Sequence, residues 1–320
     1  MRETYLVTGG AGFIGSHLVE TLLNRGQRVR VLDNLLTGKR ANLAHCPGVE
    51  FIEGSCADPD AAARAVDGVD YVLHMAAIPS VPRSVKDPLT SHRANVDGTL
   101  TMLIAAKNAG VKRLIFAGSS SAYGNTAELP KHEGMPTSPL SPYALQKIVG
   151  EQYCAMFTQL YGLETVTVRY FNVFGPRQDP TSPYSGVIAL FASALFERRS
   201  PVIYGDGEQT RDFTYVANVV DGVLRACHAP GVAGEVINVA TGGRVSLNEL
   251  LRMMNGIVGT NVQPVYQTSR AGDVRDSQAD IRKAAALLGY RPIVACDAGL
   301  RRTLEWYAES AVNDALPATA

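Results

Sequence analysis

The stretch Thr8-Gly9-Gly10-Ala11-Gly12-Phe13-Ile14-Gly15 follows a short apolar run at residues 5–8 and opens an amphipathic segment. This G-x-x-G-x-x-G spacing between a strand and a helix is typical of a turn that binds the diphosphate of a dinucleotide. Gly9 permits the tight turn, Gly12 lets the backbone approach the diphosphate, and Gly15 lets helix and strand pack closely. The helix N-terminus then offers unpaired N–H groups and the positive end of its dipole to the phosphates. A glycine-rich turn alone is weak support, so the residues around it matter.

An acidic residue follows at the distance that a dinucleotide site requires. A second apolar run ends in Val31-Leu32-Asp33, near the spacing of about 20 residues at which a carboxylate accepts the ribose hydroxyls. Asp33 predicts NAD as the cofactor, because its charge would repel the additional phosphate of NADP. Lys39 and Arg40 come soon after and could bind such a phosphate, but a solvated loop explains them more simply.

The first half of the chain alternates apolar runs with amphipathic stretches. Runs at 5–8, 29–33, 51–53, 71–75, 114–118 and 166–171 predict strands, and segments at 13–25, 59–66, 91–109 and 143–161 predict helices. This alternation predicts an α/β fold, a Rossmann-type doubly wound parallel sheet covered on both faces.

The pattern changes after residue 175, where a loop rich in proline and glycine begins. Helices are expected at 186–198, 216–226, 247–258 and 281–288, with short strands at 202–204 and 236–239. We therefore expect an NAD-binding domain at 1–175, a smaller mixed α/β domain for the substrate at 176–313, and a flexible tail at 314–320. A strand or helix could be exchanged between the two domains.

A phenol and an ammonium lie four residues apart in Tyr143-Ala144-Leu145-Gln146-Lys147, after the helix start Ser141-Pro142. Positions i and i+4 share one face of a helix, so Lys147 could favour the phenolate form of Tyr143. Such a pair is common on helix surfaces. The hydroxyl cluster Ser119-Ser120-Ser121, at the carboxyl end of a predicted strand, is where α/β sheets bind ligands and favours a catalytic role.

The composition excludes several classes of protein. Lys+Arg and Asp+Glu are equal at 30 each, which argues against a broad surface for nucleic acid or anionic membrane. No apolar stretch is long enough to span a membrane. The five cysteines are scattered, which indicates free thiols in a reducing compartment, and we expect a cytoplasmic protein without a metal site.

Taken together, these motifs resemble the extended short-chain dehydrogenase/reductase family over nearly the whole chain. The segments that carry the resemblance are T-G-G-A-G-F-I-G at 8–15, D-N-L at 33–35, H-M-A-A at 74–77, N-V-D-G-T at 95–99, S-S-S-A-Y-G at 119–124, Y-A-L-Q-K at 143–147, R-Y-F-N-V-F-G-P-R at 169–177, G-D-G-E-Q-T-R-D-F at 205–213 and R-A-G-D-V-R-D-S-Q-A-D at 270–280. Within the family, S-V-P-R-S at 80–84 and R-Q-D-P at 177–180 are most similar to UDP-hexose 4-epimerases, including those that accept N-acetylated sugars.

The resemblance implies a role for each matching residue. Ser119, Tyr143 and Lys147 are expected to be catalytic. NAD is expected to be bound by Gly9, Gly12, Phe13, Ile14, Gly15, Asp33, Asn34, Leu35, Thr37, Gly38, Ser55, Cys56, Met75, Ala76, Ala77, Asn95, Tyr143, Lys147 and Tyr170, with Asn95 holding the lysine through a water. The UDP-sugar substrate is expected to contact Arg83, Ser119, Ser120, Ser121, Tyr143, Asn172, Gly186, Val187, Val202, Tyr204, Arg211, Arg270, Asp273 and Ser277. A homodimer through the Tyr143 helix and its neighbour is expected as well.

Two positions bear on cofactor and sugar. The family usually has an acid in an E-G-D block after the third strand, whereas this chain has Glu53-Gly54-Ser55-Cys56, so the adenine contact is weaker or comes from Asp58. Ser277 matches the position that gates the sugar pocket, where serine would leave room for a 2-acetamido group. A small residue in a loop is an equally good explanation.

The residues after Ser119 narrow the reaction. Dehydratases and decarboxylases of this family usually carry carboxylates there, but this chain has Ser120 and Ser121. The resemblance therefore implies NAD-dependent 4-epimerisation of a UDP-hexose, either UDP-glucose/UDP-galactose or their N-acetylated counterparts, through a 4-keto intermediate. A UDP-glucuronate 4-epimerase, a dehydratase, a decarboxylase and a non-catalytic NAD(P)-binding protein remain as alternatives.

Overall fold

A seven-stranded, fully parallel sheet forms the centre of the molecule in the computed structural model, which describes residues 2–179, 186–269 and 274–315 (310–315 as backbone only). The strands follow the order β11-β6-β5-β4-β1-β2-β3, so the winding reverses between β1 and β4. They span Thr4–Thr8 (β1), Arg28–Asp33 (β2), Glu50–Glu53 (β3), Tyr71–His74 (β4), Arg113–Ser119 (β5), Glu164–Tyr170 (β6) and Val236–Val239 (β11). The predicted doubly wound α/β fold is confirmed.

Helices cover both faces of this sheet, and short strand pairs complete the second half. The helices are α1 Phe13–Asn24, α2 Pro59–Val66, α3 Val81–Lys86, α4 Pro88–His92, α5 Gly98–Asn108, α6 Pro142–Tyr161, α7 Val187–Phe196, α8 Val216–His228, α9 Leu247–Val258, α10 Arg282–Leu288 and α11 Cys296–Ala315. The short strands are β7 Val173–Phe174, β8 Val202–Tyr204, β9 Thr210–Arg211, β10 Thr214–Tyr215, β12 Val245–Ser246 and β13 Val265–Gln267. None of the described helices is long and apolar enough to cross a membrane.

Side chains that alternate along each strand build two separate cores. In β1, Leu6 packs into a cluster with residues of α2, α5 and α6, whereas Val7 packs into a larger cluster with α1, α8 and the second half of the chain. Successive residues of a strand point to opposite faces, so a strand buried on both sides is apolar throughout. The short apolar runs of the sequence reflect this double burial.

The second half of the chain is joined to the sheet by β11, which pairs in parallel with β6. The division into two domains and the exchange of an element between them stay predictions. Asp212, fully buried, ties the second half together by accepting hydrogen bonds from the backbone N–H groups of Thr241, Gly242 and Ala279. Helix α11 continues through Ala315, so the first two residues of the predicted tail are helical, and 316–320 lie outside the described residues.

The predicted helix at 91–109 is wrong in detail. The structure has α4, then a π-helical turn at Arg93–Asp97, then α5. The wider turn contains Asn95, which is buried at 2% exposure and hydrogen-bonds inward. Hydrophobic periodicity does not indicate such an inserted turn. π-turns are rare and occur mostly at functional sites. Helices α3 and α11 were also not predicted.

Candidate active site

One large cavity, of about 1830 Å³, lies at the carboxyl ends of the parallel strands, where the winding reverses. Sheets of this type bind their ligands at this position. The cavity brings together most residues that the sequence analysis assigned to NAD and the substrate: Gly9, Gly12, Phe13, Ile14, Gly15, Asp33, Asn34, Leu35, Thr37, Gly38, Ser55, Cys56, Met75, Ala76, Ala77, Arg83, Ser119, Ser120, Ser121, Tyr143, Tyr170, Asn172, Gly186, Arg211 and Ser277.

The remaining assigned residues lie elsewhere. Asn95 and Lys147 are buried behind the cavity wall at 2% and 4% exposure. Val187 is the first residue of α7, next to the lining residue Gly186, and Val202 and Tyr204 belong to β8, outside the described lining. Arg270 and Asp273 lie outside the described residues.

The glycine turn is required by close backbone packing. Gly9 has a positive φ of 67°, and a Cβ atom there would lie 2.8 Å from the Ala76 Cα atom. A Cβ atom on Gly15 would lie 2.2 Å from the Gly9 carbonyl oxygen, an impossible contact. A side chain at Gly9 would push the turn away from the segment that follows β4, and a side chain at Gly15 would push α1 away from the turn.

Asp33 lies at the end of β2 with its carboxylate facing this turn. One oxygen accepts the Ala11 N–H at 3.0 Å and the other accepts the Leu35 N–H at 2.8 Å. Lys39 pairs with Asp179 at 2.8 Å and Arg40 with Glu53 at 3.1 Å, so both cations near Asp33 already have carboxylate partners. This arrangement suits ribose hydroxyls better than an additional phosphate.

The sequence leaves open whether the contact to the adenine of NAD is weakened at Ser55 or comes from Asp58. Ser55 lines the cavity and accepts the Ala57 N–H through its hydroxyl at 3.2 Å. The Asp58 carboxylate caps α2 by accepting the Asp60 N–H at 3.0 Å, and Asp58 is outside the described lining. Ser55 is thus the one of the two that faces the cavity, and the adenine contact itself stays a prediction.

The start of α6 fixes Tyr143 at the cavity wall. Ser141 caps the helix by accepting the Ala144 N–H at 3.2 Å, and Pro142 occupies the first turn. The Tyr143 N–H, which has no partner within the helix, donates to the Ser84 hydroxyl at 3.0 Å. Sequence reasoning quoted Ser84 only as part of a family motif and missed this contact.

Lys147 lies one helical turn after Tyr143 on α6, and a hydrogen bond to β5 fixes its ammonium group. Its Nζ donates to the Ala117 carbonyl at 2.9 Å and lies 5.9 Å from the centre of the Tyr143 ring. Ala117 is on β5, two residues before Ser119, so one strand positions both the lysine and the serine. The Ser119 hydroxyl is within 2.8 Å of the Ser121 hydroxyl.

Burial changes the acidity of both members of the pair. It raises the pKa of Tyr143 to about 12, an effect that a hydrogen bond with Ser119 partly opposes. It lowers the pKa of Lys147 to about 8, against the nearby Glu151 carboxylate. Tyr143 is therefore almost entirely in its protonated phenol form near neutral pH, and its use as a base needs positive charge close by, which favours the phenolate.

Buried polar side chains support the cavity from behind. Asn95 accepts the Ile78 N–H at 2.8 Å and donates to the Gln146 side chain at 2.9 Å, so the π-turn is tied to α6. His74 contacts the Thr8 hydroxyl at 2.8 Å, and burial lowers the pKa of this histidine to about 3, which keeps it neutral. The expected contact between Asn95 and the lysine through a water stays a prediction.

The opposite wall is cationic and comes mainly from the second half of the chain. Arg211 on β9 lines the cavity, and its guanidinium donates to the carbonyls of Thr210 and Arg275. Asn172 has a positive φ of 34°, and Ser277 is 6% exposed with its N–H bonded to the Thr210 carbonyl. Lys131, 1% exposed, also lines the cavity, although its loop sequence gave no signal of burial.

Comparison with known proteins agrees with this geometry. A sequence model described as the NAD dependent epimerase/dehydratase family matches residues 5–240. The chain belongs to this family. It is 40% identical to a UDP-glucose 4-epimerase of Mycolicibacterium smegmatis over 307 residues, covering 94% of this chain and 97% of that protein.

Solved structures give the same assignment. A UDP-N-acetylglucosamine 4-epimerase of Methanobrevibacter ruminantium, in complex with UDP-N-acetylmuramic acid, has a TM-score of 0.92 and 39% identity and covers 97% of this chain and 100% of that one. A UDP-glucose 4-epimerase of Thermus thermophilus, in complex with NAD, has a TM-score of 0.88 and 37% identity and covers 95% and 99%. The chain is an NAD-dependent isomerase of the extended short-chain dehydrogenase/reductase type.

The residues present fit the family's cofactor. The glycine turn leaves a cradle that a Cβ atom would fill, and α1 begins there with a free N-terminus. Asp33 at the end of β2 supplies a carboxylate to the same cavity. Tyr170 and Met75 also line it, with the Tyr170 hydroxyl 3.3 Å from the Met75 sulfur.

Substitution of Gly15 tests the cofactor cradle. Gly15→Ala should weaken NAD binding by about tenfold or more, because the added carbon must displace the Gly9 carbonyl, and 1.4 kcal/mol is already a tenfold change. Calorimetric titration of cofactor-free protein with NAD measures this affinity. Gly256→Ala is the matched control, since nothing lies within 4 Å of its Cβ position in α9; equal affinities for both variants would contradict the cradle.

Proposed function

We propose that this enzyme interconverts UDP-hexoses that differ in configuration at carbon 4. The observation that carries the proposal is the set of groups at the end of β5 and the start of α6. Ser119 and Tyr143 face the cavity, Lys147 lies behind them, and Ser120 and Ser121 take the positions where an eliminating enzyme needs a carboxylate. These groups can move a proton on and off a sugar hydroxyl, and elimination of water would need an additional general acid.

The proton transfer follows from the contacts. Tyr143 takes the proton of the 4-hydroxyl, and Ser119, which hydrogen-bonds the phenol, orients that hydroxyl. NAD bound at the glycine turn and Asp33 would supply the hydride acceptor and donor for carbon 4, and its nicotinamide would carry a positive charge. The Lys147 ammonium adds a second positive charge, which opposes the effect of burial on Tyr143. The proton held by Tyr143 then returns to the oxygen when the opposite face of carbon 4 is reduced.

The cationic wall suits the diphosphate of the substrate. The Arg211 guanidinium presents a planar fork that matches phosphate oxygens, and Asn172 and Gly186 are next to it in the lining. A substrate anchored at this wall can turn its sugar while the nucleotide stays bound. The roles of Arg270 and Asp273 stay predictions.

Replacement of Tyr143 tests the proposed base. Tyr143→Phe should lower kcat for a UDP-hexose by at least about 100-fold, since general acid–base catalysis contributes roughly that much. NAD and UDP affinities should stay close to wild type, because the phenol hydroxyl contributes little to either. Chromatography of the UDP-sugar products measures turnover. Tyr161→Phe, on the exposed end of the same helix, is the control and should keep full activity. A Tyr143→Phe variant that keeps its turnover would show that another group is the base.

We propose further that the enzyme accepts UDP-N-acetylglucosamine as well as UDP-glucose. Ser277 lines the cavity with a small side chain, fixed through its backbone to β9. A small residue at this point leaves volume for an acetamido group on the sugar. A larger side chain would fill this volume and exclude the bulkier sugar first.

A change of Ser277 tests this preference. Ser277→Tyr should lower kcat/KM for UDP-N-acetylglucosamine about tenfold or more relative to UDP-glucose, because a steric change in a pocket is worth about 1–3 kcal/mol. Ser277→Ala keeps the volume and should leave the ratio of the two kcat/KM values unchanged. If Ser277→Tyr lowered both values equally, the residue would not select between the sugars.

We also propose that the protein is a homodimer that works in the cytoplasm. Helices α5 and α6 present exposed apolar side chains, among them Ile104, Met156, Leu160 and Tyr161 at 46%, 46%, 64% and 55% exposure. A shallow apolar cavity of about 290 Å³ lies between the two helices. Light scattering should give a mass near twice 34.2 kDa, and a monomer at micromolar concentration would contradict the dimer.

All five cysteines are free, which suits a reducing compartment such as the cytoplasm.

A further inference from the structure

The catalytic face of α6 continues below Lys147 to a buried carboxylate. Tyr143, Lys147 and Glu151 follow one another at intervals of four residues and so share one face of the helix. Glu151 is 2% exposed and lies outside the described cavity lining, so it has no direct access to the substrate. A carboxylate is rarely buried to this degree without a partner.

Its partner is Arg169 on β6. The guanidinium donates through Nε to one carboxylate oxygen at 3.0 Å and through Nη2 to the other at 2.7 Å. Burial raises the pKa of Glu151, and the hydrogen bonds and charge of Arg169 oppose that shift. Both carboxylate oxygens accept from the guanidinium, which is the pattern of an ionised carboxylate. The strand next to β6 makes room for the pair, since a Cβ atom on Gly118 would lie 3.0 Å from the Glu151 Oε1 atom and 3.1 Å from the Arg169 Cγ atom.

Among the described groups that surround Lys147, Glu151 is the one whose negative charge stabilises the lysine ammonium. From β4, His74 is neutral because burial lowers its pKa to about 3. On α6 itself, burial raises the pKa of the Cys154 thiol, so the thiol is neutral. Burial likewise raises the pKa of Tyr143, the phenol whose ionisation the lysine is proposed to assist. From β5, the contacts are the Ala117 carbonyl and the Phe116 ring, 5.0 Å from Nζ. From β6, Arg169 is already paired with Glu151.

We propose that Glu151, held in place by Arg169, is a positioning residue that keeps Lys147 in its ammonium form and thereby favours the phenolate form of Tyr143, the form that accepts a proton. This inference rests on the proposed role of Tyr143 and Lys147 as the acid–base pair. The Arg169 contact fixes the carboxylate under the lysine, and burial strengthens the field between them because little water screens it.

The pH dependence follows with a definite sign. Burial lowers the pKa of Lys147 to about 8, and the Glu151 charge opposes that shift. Without this charge the lysine loses its proton at lower pH, so the loss of activity on the alkaline side starts earlier. With less ammonium nearby, Tyr143 needs a higher pH to act as a base, so the rise of activity on the acidic side starts later. The active pH range becomes narrower from both sides.

The experiment compares the pH profiles of kcat and KM for the NAD-bound wild type and the Glu151→Gln variant. The variant should have a narrower profile and about tenfold lower kcat at neutral pH, with KM and the affinity for UDP unchanged. Glu151→Asp keeps the charge and should recover most of the lost range. Glu164→Gln, which breaks the Arg113–Glu164 pair between β5 and β6, is the control and should keep the wild-type profile.

A purely structural ion pair gives a different result. It would lower the yield or stability of active enzyme while the profile of the folded fraction stays as in wild type, and that outcome overturns the proposal. If Glu151→Gln does not fold because Arg169 is left unpaired, the double variant Glu151→Gln/Arg169→Gln removes both charges. It should narrow the profile in the same direction but to a smaller extent, because a positive charge near Lys147 is lost together with the negative one. An active Tyr143→Phe variant would instead refute the acid–base pair itself, so the two failures can be told apart.

Discussion

The hydrogen bond from Lys147 to the Ala117 carbonyl joins the two elements on which the chemistry depends. Strand β5 supplies the carbonyl and, two residues later, Ser119 at its carboxyl end. Helix α6 supplies the lysine and, one turn earlier, Tyr143 at the cavity wall. Because strand and helix are fixed to each other at this point, the hydroxyl, the phenol and the ammonium keep one geometry while a substrate turns over.

The parallel sheet places this hydroxyl and phenol in the same cavity as the residues expected to bind the cofactor. The glycine turn after β1, Asp33 after β2 and Ser119 after β5 all lie at the carboxyl ends of their strands, and the reversal between β1 and β4 opens one cavity among them. The second half adds the cationic wall with Arg211, and it is anchored to the same sheet by β11. The groups proposed to oxidise the sugar come from β5 and α6, and the cation proposed to anchor the nucleotide comes from the second half of the chain.

The sequence predicted the parts of this arrangement that depend on local pattern. Strand positions followed from apolar runs because each strand is buried on both faces, and the cofactor turn followed from Gly9, Gly15 and the spacing to Asp33. The pair Tyr143 and Lys147 was found from an interval of four residues, which a helix converts into one shared face. These features are encoded within short stretches of chain.

The sequence could not predict features that arise only when distant segments meet. The contact between Ser84 and the Tyr143 N–H joins residues 59 positions apart, and Arg169 on β6 reaches Glu151 on α6. Asp58 was a candidate for the adenine side, but the structure uses it to cap α2. The strong effect of burial on the acidity of Tyr143 also needs the folded surroundings, since spacing alone suggested only that Lys147 would lower its pKa.

The central claim is that one hydride leaves carbon 4 and returns to the same carbon within the cavity. A UDP-hexose carrying deuterium at carbon 4 tests this directly, with the epimeric product analysed by mass spectrometry and NMR. The account predicts that the product keeps its deuterium at carbon 4, with no net NADH formed and no hydrogen taken from water at that carbon. Loss of the deuterium, or its replacement by solvent hydrogen, would contradict the account.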